Sequence, residues 1–366
     1  MSGRHGFFRP SIIIGICFDL LLILFSIGAT SRKNQVEELD VPTPYPSDRE
    51  VPLFANPSPS ATGTFFQVSS IIQPTPNFST PSTSVCADIW GMDPPAELPA
   101  WLGTPQNIYD LNTEIKYFIL AGELLSTEIA EAADCPDGGL SIDGAATTCG
   151  MEQAYSQVVF WQNQFDHEIL RAAQENQIPA QVIKRLFAQE TQFWSPSTLA
   201  PPAYGLGNVT SPGIEPLFTW FPDIYQNSCL QVFSHTCEEP YHALTLENQQ
   251  SLRGWFISHN LHSYCPSCPY EIDLEKIRSS IDFFAKLLVA NCHQVDLILR
   301  NHGYSPSTFS YEDAWWTLAN YTVGAGCVAN ALEDMDLENG FSWGYFTSQL
   351  NPGCSVDVYV KIITGR

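Results

Sequence analysis

The segment AQVIKRLFAQETQFWSPSTLAPPAYGLGN, residues 180–208, organises this chain, and Glu190 is the residue on which its chemistry centres. Pro179 suits the first position of a helix, because its missing N–H removes no hydrogen bond there. Leu186 and Val182 lie four and eight residues before Glu190, which predicts a carboxylate on the apolar face near the helix C-terminus. Burial and the negative end of the helix dipole both favour the protonated carboxyl that a general acid requires. The alternative is a rim glutamate that reaches solvent.

The residues after Glu190 resemble the signature of soluble lytic transglycosylases, lysozyme-like bacterial enzymes that cleave peptidoglycan. That signature is roughly E-S-x-F followed, after a loop, by G-A-x-G-L-M-Q. The corresponding positions, reached without any gap, are Glu190, Phe193, Ala203, Gly205, Leu206 and Asn208. The departures are Thr191 for the serine, Pro202 for a glycine, Gly207 for the methionine and Asn208 for the glutamine. The hydroxyl and the amide are therefore retained in kind.

Two flanking segments resemble the same family in the same order. FDHEILRAAQENQIP, residues 165–179, is similar to the helix and turn that precede the signature. ANYTVGAGCV, residues 319–328, is similar to A-Y-N-A-G-x-G-x-V, with Thr322 standing in place of the asparagine. The resemblance covers residues 165–328 and is interrupted by an insertion, and three spaced motifs in order are more specific than any one of them.

The resemblance implies cleavage of the β-1,4 bond between N-acetylmuramic acid and N-acetylglucosamine, without cofactor or metal. Glu190 would protonate the leaving oxygen and then act as base on the muramoyl 6-hydroxyl, which produces an anhydro sugar. The substrate-binding residues implied are Thr191, Tyr204, Gly205, Asn208 and Tyr321. Phe193 and Leu206 are expected to pack in the core. The departures leave open a glycan-binding lysozyme-like module without catalysis, although the retained Glu190 argues against it, and a hydrolytic muramidase is a further alternative.

Composition excludes one class of partner. The 366 residues carry 39 acidic and 16 basic side chains, for a formal net charge of −23. Such a chain repels phosphates, so no nucleic-acid role is expected. The expected partners are peptidoglycan glycan strands and, through the N-terminal segment, a membrane.

The N-terminal region reads as an export segment followed by a linker. Residues 1–10 form a basic cytoplasmic leader, and residues 11–29 form an apolar run that predicts a signal anchor, or a signal peptide cleaved near Ala29. Asp19 within the run weakens the anchor interpretation, because a carboxylate at mid-membrane is costly. Residues 30–85 are rich in Pro, Ser and Thr and predict a linker.

The folded part is expected to be mainly α-helical and lysozyme-like. A helical extension over residues 86–160 would precede a catalytic domain over 161–366, which carries a disulfide-rich insertion at about 214–270. Apolar spacing and capping residues predict the following helices: Asn112 to Ala133 with Asn112 or Thr113 as its cap, Glu152 to Gln177, Ile272 to Cys292, and Tyr311 to Asn330 with a break near Gly324.

Ten of the 11 cysteines follow the export segment, and an even number predicts disulfides in an oxidising compartment. Cys135 and Cys149 are natural partners at the ends of a Gly-rich loop. The CPSC pair, Cys265 and Cys268, leaves two alternatives open. These are a zinc site with Cys237 and a nearby histidine, or a redox dithiol.

We predict that the folded part lies outside the cytoplasm, because the basic leader stays inside and the cysteines need an oxidising compartment. Protease added to intact spheroplasts is expected to remove it, while a cytoplasmic marker protein survives. Full protection of the chain under these conditions contradicts the assignment.

Overall fold

A computed structural model describes residues 99–113, 117–195, 203–303, 311–333, 335 and 342–365. The leader, the apolar run 11–29, the linker 30–85 and residues 86–98 of the predicted extension lie outside the described residues. Within the described part of the chain, no helix is both long and apolar enough to cross a membrane.

The described chain is mainly helical, as predicted. Its strands, β1 (Ala203–Tyr204) and β2 (Val209–Thr210), form one antiparallel hairpin that pairs Ala203 with Thr210 and Tyr204 with Val209. In chain order the α-helices are α1 (Phe118–Ser126), α2 (Thr148–Asn163), α3 (Asp166–Asn176), α4 (Ala180–Glu190), α5 (Glu215–Trp220), α6 (Pro222–Phe233), α7 (Leu246–Asn260), α8 (Leu274–Asn301), α9 (Tyr311–Val323), α10 (Ala325–Glu333), α11 (Trp343–Gln349) and α12 (Asp357–Thr364).

Helix α4 begins and ends close to the prediction, and its apolar face is buried. Val182, Ile183, Leu186 and Phe187 are almost completely inaccessible to solvent. Pro179 is the N-cap of this helix rather than its first helical residue. The helical spacing of the sequence therefore identified the core-facing side correctly, and Glu190 ends the helix.

Helices α8, α9 and α10 contain the predicted apolar helix face and the predicted helix break near Gly324. The expected apolar face of α8 is buried and consists of Ile277, Ile281, Phe284 and Leu288. The helix continues to Asn301, nine residues beyond the predicted end. Helices α9 and α10 are separated at Gly324, whose φ of 83° lies in the left-handed region that glycine adopts without strain.

The prediction of a first helix from Asn112 to Ala133 was wrong in both length and capping. The helix spans Phe118–Ser126, and neither Asn112 nor Thr113 caps it. Its N-terminal N–H groups are instead satisfied by the Gln192 side chain, whose Oε1 accepts from Ile119 N at 2.9 Å and Leu120 N at 3.2 Å. The cap comes from a residue more than 70 positions away, so local sequence could not reveal it.

The predicted helix from Glu152 to Gln177 is two helices, α2 and α3, which meet at Phe165. The interruption turns Asp166, the first residue of α3, into the interior, where it pairs with a lysine of α4. A left-handed Gln177 with φ of 55° then ends α3. A buried ion pair thus outweighs the continuous helical pattern of the sequence.

The disulfide prediction is confirmed. The described residues contain the pairs Cys135–Cys149, Cys229–Cys237, Cys265–Cys268 and Cys327–Cys354. The zinc alternative is wrong, because Cys237, Cys265 and Cys268 are all bonded to other cysteines and carry no thiolate for a metal. Four disulfides are compatible with an oxidising compartment outside the cytoplasm.

Lys184 of α4 is buried completely, and its ammonium group has three acceptors. Nζ donates to Asp166 Oδ1 at 2.5 Å, to the carbonyl oxygen of Gln162 at 2.9 Å and to Asn163 Oδ1 at 3.0 Å. It also lies 4.9 Å from the centre of the Phe193 ring. Burial raises the pKa of Asp166 to about 6 and lowers the pKa of Lys184. The three hydrogen bonds offset this cost and join the α2–α3 junction to α4.

We predict that Lys184→Met lowers the free energy of unfolding by about 3–5 kcal/mol at pH 8, because Asp166 is left buried without its cation. The loss should be smaller at pH 5, where the Asp166 carboxyl takes up a proton. Urea unfolding followed by circular dichroism measures both values.

Two variants serve as controls for the Lys184 prediction. The double variant Lys184→Met with Asp166→Leu should recover most of the loss, since no buried charge remains. Lys361→Met, which removes only the exposed ion pair with Asp357, should change stability by at most about 0.5 kcal/mol. Equal losses in Lys184→Met and Lys361→Met contradict the assignment.

Candidate active site

The chain leaves α4 through a tightly held turn. Gln192 and Phe193 have φ angles of 51° and 66°, a backbone conformation that residues other than glycine rarely adopt. The carbonyl oxygen of Phe193 accepts a hydrogen bond from Trp161 Nε1 at 3.0 Å, and Gln192 caps α1. These contacts compensate the backbone strain and fix the end of the helix that carries Glu190.

The hairpin turn at residues 205–208 lies against this helix end. Gly205 has φ of 67°, and the backbone N–H of Asn208 donates to the Gly205 carbonyl at 3.2 Å. Thr191 Oγ1 donates to the carbonyl oxygen of Leu206 at 2.8 Å. The turn and the helix end are therefore joined directly through the residue that follows Glu190.

A glycine is required at position 207, where the family signature has methionine. A Cβ atom there would overlap the ring of Phe284, and the carbonyl oxygen of Gly207 accepts a hydrogen bond from Tyr321 Oη. Phe284 thus fills the space that a side chain at 207 would take. This departure from the signature is explained by packing.

Both oxygens of the Glu190 carboxylate accept hydrogen bonds from uncharged donors. Oε1 accepts from the Tyr359 hydroxyl, and Oε2 accepts from Asn208 Nδ2 at 3.3 Å. Burial, followed by the charge of Glu190, raises the pKa of Tyr321 and Tyr359 well above the ordinary value. Each hydroxyl therefore keeps its proton and remains a donor.

Burial raises the pKa of Glu190 to about 6, and the hydrogen bonds from Tyr359 and Asn208 partly oppose the rise. A carboxyl in this range holds its proton at mildly acidic pH and releases it near neutrality. This is the behaviour of a group that can act as both general acid and general base.

The Asn208 amide is arranged to serve both protonation states of Glu190. Its Nδ2 donates to the carboxylate, whereas its Oδ1 is buried without a hydrogen-bond partner among the described residues. Rotation of the amide by half a turn would present Oδ1 as the acceptor for a protonated Glu190. The left-handed backbone of Asn208, with φ of 54°, is one that asparagine tolerates well.

The structure brings some of the predicted site residues together and gives others internal partners. Asn208 contacts Glu190 directly. The hydroxyls of Thr191 and Tyr321 donate to backbone carbonyls, and half-buried Tyr204 packs edge-on to His262 at 5.7 Å. Gly205 forms the turn, and Phe193 and Leu206 are buried, as predicted.

Tyr359 of α12 was missed by the sequence analysis. It lies 169 residues after Glu190, and no spacing or motif connects the two positions. Arg185 of α4 donates to the Ile363 carbonyl at 2.9 Å, so α12 is held against α4 by a second contact. A polar residue on the buried face of a C-terminal helix was the one available signal.

No protein-family model, curated protein or solved structure matches this chain. Within the described ranges, no group of three or more His, Cys, Asp and Glu side chains is arranged to hold a metal.

We predict that Glu190→Gln stabilises the fold in a pH-dependent way. The folded-state pKa of about 6 lies above the ordinary 4.5, so the carboxylate costs nothing below pH 4.5 and its full cost appears above pH 6. The free energy of unfolding of the variant relative to the wild type should be up to about 2 kcal/mol larger at pH 8 than at pH 4. Urea unfolding at several pH values measures this gain.

Tyr359→Phe tests the hydrogen bond that opposes the rise in the pKa of Glu190. Removal of the donor to the charged form should raise the pKa of Glu190 further, so the fall in stability should extend to higher pH than in the wild type. A profile identical to that of the wild type would show that Tyr359 does not contact Glu190 in solution.

Proposed function

We propose that this chain is a lysozyme-like enzyme of the lytic transglycosylase type. It cleaves the β-1,4 bond between N-acetylmuramic acid and N-acetylglucosamine in peptidoglycan, outside the cytoplasm. The observation that carries the proposal is the Glu190 carboxyl, which has a pKa of about 6 and is held by two uncharged donors at the end of a buried helix. The pKa of the structural carboxyl of Asp166 is also about 6, but Asp166 is paired with Lys184, whereas among the described residues only uncharged donors hold Glu190.

In the proposed reaction Glu190 transfers one proton in each direction. The protonated carboxyl donates to the glycosidic oxygen as the bond from that oxygen to the muramoyl C1 breaks. The resulting carboxylate removes the proton of the muramoyl 6-hydroxyl while that oxygen bonds to C1. The products are a 1,6-anhydro sugar and a free N-acetylglucosamine end, and Glu190 regains its proton.

The surroundings of Glu190 support a mechanism with one carboxyl group. Among the described residues, burial and two hydrogen bonds account for its pKa, and no second carboxylate contributes. Most glycosidases use a second carboxyl group as nucleophile or general base, whereas in some families a group of the substrate takes that role. An intramolecular 6-hydroxyl or an acetamido group of the substrate would fill that role here.

Tyr359 and Asn208 would stabilise the carboxylate that forms after the first proton transfer. Both are neutral donors, so they favour the anion without holding it as strongly as a lysine or arginine would. This balance suits a group that must take a proton back in the second step. A hydrolytic muramidase, with water in place of the 6-hydroxyl, would use the same residues.

A glycan-binding module without catalysis is the second candidate. Thr322 replaces the asparagine of the resembled motif, and its Oγ1 donates to the Leu318 carbonyl at 2.8 Å. An amide contact to the sugar is therefore missing at that position. The retained Glu190 favours the enzyme.

We predict that Glu190→Gln abolishes release of soluble muropeptides from purified peptidoglycan and leaves glycan binding intact. The amide keeps the shape of the side chain but neither delivers nor accepts the proton. We therefore expect kcat of the variant to fall by about 10²–10⁴-fold or more. Mass spectrometry of the products identifies anhydro ends, and wild-type kcat should fall as pH rises through about 6, where the acid is lost.

Glu168→Gln on α3 is the matched control, because Glu168 lies outside the signature and contacts Arg278 at 3.8 Å. Its activity should stay within a few-fold of the wild type. Cleavage by the Glu190→Gln variant at the wild-type rate contradicts the mechanism. Binding without any cleavage by the wild type would favour the binding module, and reducing ends without anhydro sugar would favour the muramidase.

A further inference from the structure

A cavity of about 580 Å³ opens beside the candidate site, between the cysteine-rich insertion and helices α8, α9 and α10. Its volume falls within the ~300–1,000 Å³ that is usual for ligand sites. Glu215, Thr219 and Gln249 contribute to the insertion wall, whereas Gln294 and Asn320 contribute to the opposite helical wall. The insertion therefore contributes to one side of this cavity.

The cavity lies next to the surroundings of Glu190 and shares the residue Tyr321 with them. Tyr321 and Thr322 line it, and Tyr321 donates to the Gly207 carbonyl in the hairpin turn. The charge of Glu190 contributes to the raised pKa of Tyr321, so this lining residue lies close to the carboxylate. The cavity therefore lies on the Tyr321 side of the proposed reaction centre.

The lining favours an uncharged ligand. Among the described residues that line the cavity there is no lysine or arginine. Its carboxylate, Glu215, is paired with the buried Arg253 behind the wall. His242 is the one basic side chain among these lining residues, so a phosphate or a carboxylate would find no lysine or arginine as its counter-charge, in a chain whose net charge is already −23.

Side-chain amides on the two walls present opposite hydrogen-bonding groups. On the helical wall, Gln294 Oε1 accepts from buried Asn320 Nδ2 at 2.9 Å, so its Nε2 is left as a donor. On the insertion wall, Gln249 Nε2 donates to the Leu244 carbonyl at 3.0 Å, so its Oε1 is left as an acceptor. One free donor and one free acceptor complement the C=O and N–H of an acetamido group.

We propose that this cavity binds an N-acetylhexosamine unit of the glycan, with Gln249 and Gln294 as specificity-determining residues. The proposal rests on the proposed function and extends it, because it gives the insertion the role of a second wall for the glycan. An anionic stem peptide is the less suitable occupant, since no lysine or arginine among the described residues lines the cavity.

The test uses the full chain with Glu190→Gln and the neutral probe chitohexaose, a hexamer of N-acetylglucosamine. Isothermal titration should show binding that Gln294→Ala and Gln249→Ala each weaken by about 3- to 10-fold, the effect of one lost hydrogen bond. Gln153→Ala, an exposed substitution on α2, should leave the affinity unchanged. Unchanged thermal midpoints would confirm that the variants are folded.

The same substitutions in the wild-type background separate this proposal from the proposed function. Increased KM at constant kcat on peptidoglycan supports the cavity site. Normal cleavage with unchanged KM and Kd in both variants overturns the cavity site and leaves the function intact. Binding that the variants weaken, without any cleavage by the wild type, supports the cavity and overturns the function. Displacement of chitohexaose by a free stem peptide overturns the assigned ligand class.

Discussion

The ammonium group of Lys184 is the interaction on which the geometry of the site depends. It precedes Glu190 by six residues on the same helix and makes three hydrogen bonds to the α2–α3 junction. A buried charge tolerates little displacement, because each lost hydrogen bond restores part of its desolvation cost. This fixes the rotation of α4 about its axis, and with it the side on which Leu186 packs and Glu190 emerges.

The turn after Glu190 extends this constraint to the rest of the domain. Three successive residues each contact a different element: Thr191 the hairpin turn, Gln192 the N-terminus of α1, and Phe193 the indole of Trp161. The left-handed backbone of this segment persists because all three contacts are made together. The position of the carboxylate is thus set by a surrounding shell rather than by the helix alone, as the placement of reactive groups generally requires.

The electrostatics of the site contrast with those of the whole chain. The chain has a net charge of −23, yet the groups that hydrogen-bond to Glu190 among the described residues are a phenol and an amide. Burial dominates its pKa because no charged partner among the described residues opposes it. The adjoining cavity is lined by amides and hydroxyls together with Glu215 and His242, and by no lysine or arginine among the described residues. This pattern is what the proposed neutral glycan ligand and the proposed two-way proton transfer require.

The sequence alone determined the features that rest on contacts within a few residues. These are the apolar periods of α4 and α8, the side of the helix that carries Glu190, and the pairing of cysteines at the ends of one loop. Only the tertiary structure decided the contacts made across the chain. Tyr359 reaches Glu190 over 169 positions, Gln192 caps a helix 73 positions earlier, and Phe284 excludes any side chain at Gly207. Such partners are selected by three-dimensional packing, which no local pattern of residues encodes.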